Sequence, residues 1–124
     1  DNLTPNILKL SLGGQDCVED RHVKTLVRRC NKITELDLSF TAITNDSVEC
    51  IIENLRSLEK LDLGCTNVDF STLLQLKSIP SLKMLHCFDR EDNTENIKNL
   101  KLQLPHISIN EDYIYINVWE SCSK

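Results

Sequence analysis

Along residues 33 to 55, ITELDLSFTAITNDSVECIIENL, the apolar spacing changes period. Leu36, Leu38 and Phe40 alternate as in a strand, with Ile33 just ahead of them. Val48, Ile51, Ile52 and Leu55 then follow at the i, i+3, i+4, i+7 spacing of a helix face. The switch recurs. An apolar-x-x-apolar-x-apolar pattern stands at Ile7-Leu10-Leu12, Ile33-Leu36-Leu38, Leu58-Leu61-Leu63, Leu82-Leu85-Cys87 and Leu104-Ile107-Ile109, with middle residues offset by 26, 25, 24 and 22.

Between these strand patterns lie helical ones. Val23, Leu26, Val27 and Cys30 share one face; Phe70, Leu73 and Leu74, extending to Leu76, make a shorter helix that Pro80 stops. Ile97 and Leu100 mark a fourth, with Asn93 or Thr94 as N-cap and Pro105 beyond its end. A strand and a helix of this size cannot bury their apolar sides alone, so stacked copies must share one core. The offsets lie within the roughly 20 to 29 residues of a leucine-rich repeat, whose strand has this pattern. The expected class is therefore α/β: a short leucine-rich-repeat solenoid, parallel strands on the concave face and helices on the convex face. Residues 1–110 make that domain, with about five repeats, and 111–124 form a C-terminal capping strand or tail. In that tail Tyr113 to Trp119 is rich in β-formers. It reads as a strand beside the last repeat or as a lid over the concave face.

At 124 residues the chain fits one domain. A formal net charge of -5 argues against nonspecific nucleic-acid binding, which needs phosphate-neutralising Lys and Arg. No apolar run approaches the roughly 20 residues of a membrane span. The chain opens on Asp1-Asn2-Leu3, without initiator Met or signal peptide, and reads as a piece of something longer. Residues 1–6 are too few to cap the first turn, so a partner or an upstream segment is expected there. Six cysteines (17, 30, 50, 65, 87 and 122) contain no CxxC pair, and several fall on core positions. They read as reduced thiols in a cytoplasmic or nuclear protein.

Strand alternation sorts the candidate site residues, because neighbouring side chains point to opposite faces. Three outward columns result: Lys9, Glu35, Lys60, Met84 and His106; Ser11, Asp37, Asp62, His86 and Ser108; Gly13, Ser39, Gly64, Phe88 and Asn110. The candidate protein-binding residues are Glu35, Asp37, Lys60, Asp62, Met84, His86 and Phe88. Asp37 and Asp62 would sit on adjacent strands about 4.8 Å apart, where like charges repel. They read either as a solvated acidic rim, with Glu35 balanced by Lys60, or as a patch awaiting a cationic group. Enzyme chemistry finds little support. His86 and Cys87 should face opposite ways, the histidines and cysteines lack zinc spacing, and there is no P-loop, GxGxxG or GxSxG. No catalytic residue, metal or cofactor is expected, and Gly13-Gly14 reads as a turn after a strand.

Two further features resemble a known family. Thr25-Leu26-Val27-Arg28-Arg29-Cys30, followed by Leu36-Asp37-Leu38-Ser39, is similar to the cysteine-containing repeats of F-box/leucine-rich-repeat proteins. Ile79-Pro80-Ser81-Leu82-Lys83-Met84-Leu85 and Leu104-Pro105-His106-Ile107-Ser108-Ile109-Asn110 resemble the last two units of such a protein. The resemblance implies a substrate-receptor module of a Skp–cullin–F-box ubiquitin ligase, whose repeats hold the protein to be ubiquitinated; a protein partner is expected on the concave face. Attachment to the ligase adaptor would run through an F-box, which this chain does not contain. The alternative is a free-standing repeat scaffold or inhibitor, including a host-directed effector that mimics F-box proteins.

Overall fold

The computed structural model describes residues 4–88 and 94–111. Five short strands form one parallel sheet in chain order: β1 (Lys9–Ser11), β2 (Glu35–Asp37), β3 (Lys60–Asp62), β4 (Met84–His86) and β5 (Ser108–Ile109). The crossovers are α1 (Asp20–Arg29), α2 (Asn45–Asn54), α3 (Phe70–Leu73), which runs on into a 3-10 segment Leu74–Ser78, and α4 (Thr94–Gln103). The third helical segment ends just before Pro80, whose ring and missing N–H oppose continuation. Of the two candidate N-caps of α4, Thr94 is already helical and Asn93 lies outside the described residues. Of the capping strand or tail expected over residues 111–124, residues 112–124 also lie outside them.

Register is what the repeat spacing encodes. Leu10 pairs with Leu36, Leu36 with Leu61, Leu61 with Leu85, and Leu85 with Ile109. From Leu36 onward these middle residues are buried on consecutive rungs; Leu10, on the edge strand, is only partly covered. Val23, Leu26, Val27 and Cys30 from α1, and Val48, Ile51 and Leu55 from α2 or its end, close the other side of the same core. Each fully buried leucine contributes about 1.5–3 kcal/mol, far more than one three-residue strand could gain alone.

The last rung departs from the sequence expectation. Ile109, not Ile107, lies beside Leu85, so the spacing there is 24 residues and the fifth unit shifts by two. The physical reason is a turn. The Ile107 N–H donates to the Leu104 carbonyl (3.1 Å) as the Leu82 N–H donates to the Ile79 carbonyl (3.2 Å). Leu104-Pro105 therefore repeats Ile79-Pro80, and Ile107 repeats Leu82. The pattern Leu104-x-x-Ile107-x-Ile109 imitates the strand motif while straddling turn and strand.

Helix starts are tied from one turn to the next. Asp20 accepts hydrogen bonds from the Thr44 N–H (2.8 Å), the Thr44 hydroxyl (2.6 Å) and the Ser47 hydroxyl. One turn on, Asn45 and Asp69 exchange a pair: Asn45 Nδ2 donates to Asp69 Oδ2 (2.9 Å), and the Asp69 N–H donates to Asn45 Oδ1 (3.0 Å). The first turn has no upstream equivalent among the described residues. There the N-cap Glu19 N–H donates instead to His22 Nδ1 (3.0 Å), closing its own capping box.

Candidate functional site

The sheet face turned away from the helices has rungs built from the residues flanking each buried leucine. With the corrected register, its first column reads Lys9, Glu35, Lys60, Met84, Ser108, and its second reads Ser11, Asp37, Asp62, His86. His106 leaves the first column, and Asn110 takes the place expected for Ser108 in the second. The structure brings Glu35, Asp37, Lys60, Asp62, Met84 and His86 together on three adjacent rungs, and Phe88 follows at the end of β4.

Four of these residues face outward but are not solvated. Glu35, Asp37, Asp62 and Met84 are all buried, which overturns the solvated acidic rim. The two aspartates fit because glycines leave room for them. A Cβ at Gly13 would stand 2.7 Å from Asp37 Oδ2, and one at Gly64 would stand 3.2 Å from Asp62 Oδ1.

Each carboxylate is met differently. Glu35 Oε2 has Lys9 Nζ at 3.4 Å and Lys60 Nζ at 3.5 Å, so it is balanced by two lysines rather than by Lys60 alone. Asp37 Oδ1 accepts the Ser39 N–H (2.9 Å) and hydroxyl (2.7 Å), and Oδ2 accepts the Ser11 hydroxyl (2.9 Å). Burial pushes the Asp37 carboxyl above its ordinary value; the charge of Asp62 adds to this and the serine hydrogen bonds oppose it. Asp62 Oδ1 accepts the Gly64 N–H (2.8 Å) and lies 3.4 Å from His86 Nδ1. Its second oxygen, Oδ2, is buried and has no hydrogen-bond partner.

Residues 29–51 match a protein-family model described as Leucine Rich repeat. The match spans the end of α1, all of β2 and most of α2, so it covers the strand that carries Glu35 and Asp37. Leucine-rich repeats are in general protein-interaction modules. No helix among the described residues is long and apolar enough to cross a membrane.

The sequence reading misplaced one exposed aromatic residue. Phe40 alternates with Leu36 and Leu38, which assigned it to the core side, yet β2 ends at Asp37 and Phe40 adopts φ 55 with half its surface exposed (50%). It belongs to a corner that recurs four residues after Leu10, Leu36 and Leu61. Gly14 (φ 83), Phe40 and Cys65 (φ 53) each turn there and donate their N–H to the next rung, at 2.8, 2.9 and 2.8 Å. Gly14 bears out the turn expected at Gly13-Gly14. The clue available in the sequence was that shared offset from the leucine. Phe88, at 63% exposure, stands two rungs from Phe40, with its ring 6.5 Å from that of His86.

His86 and Cys87 do face opposite ways: Cys87 joins the core cluster while His86 faces Asp62. The burial of the five described cysteines varies. Cys30 and Cys87 are buried, Cys50 and Cys65 partly covered, and Cys17 exposed.

Proposed function

We propose that this chain is a noncatalytic protein-binding module, a short leucine-rich-repeat solenoid with parallel strands on its concave face. Its role is substrate recognition within a Skp–cullin–F-box ubiquitin ligase receptor. The binding surface comprises Glu35, Asp37, Lys60, Asp62, Met84, His86 and Phe88. The observation that carries the binding reading is the in-register pairing of Asp37 with Asp62 and of Asp62 with His86, which gathers polar side chains from three rungs onto one surface. The repeat match over residues 29–51 supports the same reading. A rigid row of this kind binds with little rearrangement, so ordering costs on association stay small.

The ligase role rests on the resemblance to the C-terminal repeats of the S-phase kinase-associated F-box protein. The equivalence of the Ile79-Pro80 and Leu104-Pro105 turns supports it, because that resemblance treats the two segments as successive units.

The test is affinity capture with the 124-residue chain, its Asp37→Lys/Asp62→Lys variant and a Phe88→Asp variant, each checked for folding by circular dichroism. A partner lost with both polar-face variants and kept by a Lys24→Glu variant on α1 supports the binding reading; capture indifferent to all three defeats it. For the ligase role, the full-length gene product should co-purify with Skp and cullin subunits, and the captured partner should acquire ubiquitin in their presence. A captured partner without ligase subunits would instead assign the chain to a free-standing scaffold or inhibitor.

A further inference from the structure

Three acids lie on the polar face, and they are met unequally. Glu35 holds two lysines, and three serine donors serve Asp37. Asp62 engages the Gly64 N–H and faces His86 through Oδ1, but its Oδ2 is buried without a hydrogen-bond partner, next to a second buried carboxylate in register with it. A buried charge left in this state is costly, and a cation placed against it recovers the cost through a charge-assisted hydrogen bond in a low-dielectric setting. Among the described residues no group of three or more His, Cys, Asp or Glu side chains could hold a metal ion, so the geometry favours an organic cation.

The apolar border adds a second requirement. A phenylalanine in left-handed backbone is strained where glycine or asparagine would rest easily, yet Phe40 leaves half its ring in solvent. Core packing does not account for it, and an exposed ring held at such a position points to contact with another molecule. Phe40 and Phe88 lie two rungs apart, about 10 Å at the spacing of a sheet, which about three residues of extended chain cover.

We propose that the polar face seats a Lys or Arg side chain of an extended partner segment against Asp62 and Asp37, with large apolar neighbours of that residue resting on Phe40 and Phe88. This rests on the protein-binding reading above and names the partner's chemistry. The matching segment is basic and apolar together, and an acidic peptide would meet repulsion.

A random heptapeptide library displayed on phage and selected on the 124-residue chain tests this. Enriched peptides should carry a Lys or Arg with a large apolar residue within three positions. Fluorescence polarisation with the synthetic peptide should show about tenfold weaker binding to the Asp62→Asn variant and a comparable loss with Phe88→Ser, whose exposed ring can be removed without a folding cost. Replacing the peptide's arginine by citrulline should weaken binding to the parent chain and add nothing on Asp62→Asn. Enriched peptides without a basic residue, or no enrichment at all, would overturn the cation seat while leaving the captured-protein experiment to decide the broader reading. Peptides whose affinity ignores every polar-face substitution would count against both.

Discussion

The side-chain carbonyl of Asn110 accepts the backbone N–H of Cys87 at 2.8 Å. On earlier rungs that position belongs to a main-chain carbonyl: Leu12 donates to Asp37 (2.8 Å), Leu38 to Asp62 (2.9 Å) and Leu63 to His86 (2.7 Å). Asn110 itself adopts φ 57, so its own carbonyl turns off the ladder and its amide oxygen fills the vacancy. Asparagine suits both tasks, tolerating left-handed backbone and offering a short acceptor. Asn110→Ala should therefore cost about 2–3 kcal/mol, the sum of a lost hydrogen bond and a strained backbone. Asn110→Gly should cost less, since it loses only the bond. Denaturant midpoints of the two variants measure the difference, and equal losses would mean the backbone conformation contributes nothing.

Two aspartates should give opposite pH signatures. The Asp37 carboxyl is pushed above 3.8 by burial, with the Asp62 charge contributing, so the folded state binds the proton more tightly than the unfolded one. Stability linked to Asp37 is thus present at acid pH and lost as pH rises through the folded value. At Asp20 burial raises the carboxyl's value, but hydrogen bonds from Ser47 and Thr44 outweigh it and hold the group below 3.8. That contribution is present above 3.8 and lost as pH falls through the folded value. Asp37→Asn should gain in melting temperature over the parent most at neutral pH, with the gain shrinking toward acid. Asp20→Asn should lose at neutral pH, with the deficit shrinking only below the ordinary carboxylate range. Scanning calorimetry across that range decides; parallel curves would remove the linkage.

The sequence made the stacking legible because a period of 2 giving way to a period of 3.6 has few other causes, and Leu36, Leu61 and Leu85 are neighbours as that spacing required. It misplaced the fifth rung because Leu104, Ile107 and Ile109 satisfy the strand motif by chance of composition, and only the hydrogen-bonded turn at Leu104 separates the alternatives. The outward columns were readable up to β4, but their burial was not. Alternation tells which way a side chain points and is silent on what covers it, so a solvated rim stayed open as one reading of Asp37 and Asp62. Phe40 failed for a related reason: alternation was carried past the end of a strand only three residues long.

Gly64 should be intolerant of a side chain. An added Cβ would meet the Phe88 carbonyl oxygen at 3.0 Å and Asp62 Oδ1 at 3.2 Å. The first contact is with backbone, which cannot rotate away, so β3 and β4 must separate locally. Gly64→Ala should destabilise by about 1–3 kcal/mol, as overpacked interiors do. The Gly64 N–H donates to Asp62 Oδ1, so the same shift should disturb the carboxylate. Gly14→Ala offers the control: nothing stands within 4 Å of its Cβ, and its φ of 83 makes backbone strain the only cost. A Gly64→Ala penalty no larger than that of Gly14→Ala, by urea denaturation, would show that the rungs can yield.

Phe40 separates stability from recognition. Its left-handed backbone costs about 1–2 kcal/mol relative to a residue at ease there, and its half-exposed ring returns only part of the burial a core phenylalanine would give. Phe40→Gly should accordingly leave the melting temperature unchanged or raise it, because glycine is free at positive φ. If the ring serves a partner, the same substitution should weaken binding by several-fold, since buried aromatic anchors dominate interface energetics. Thermal melts and binding titrations on the same preparation read both quantities. A clear loss of stability with unchanged affinity would reverse the assignment and make Phe40 a packing residue, as its alternation with Leu36 and Leu38 suggests.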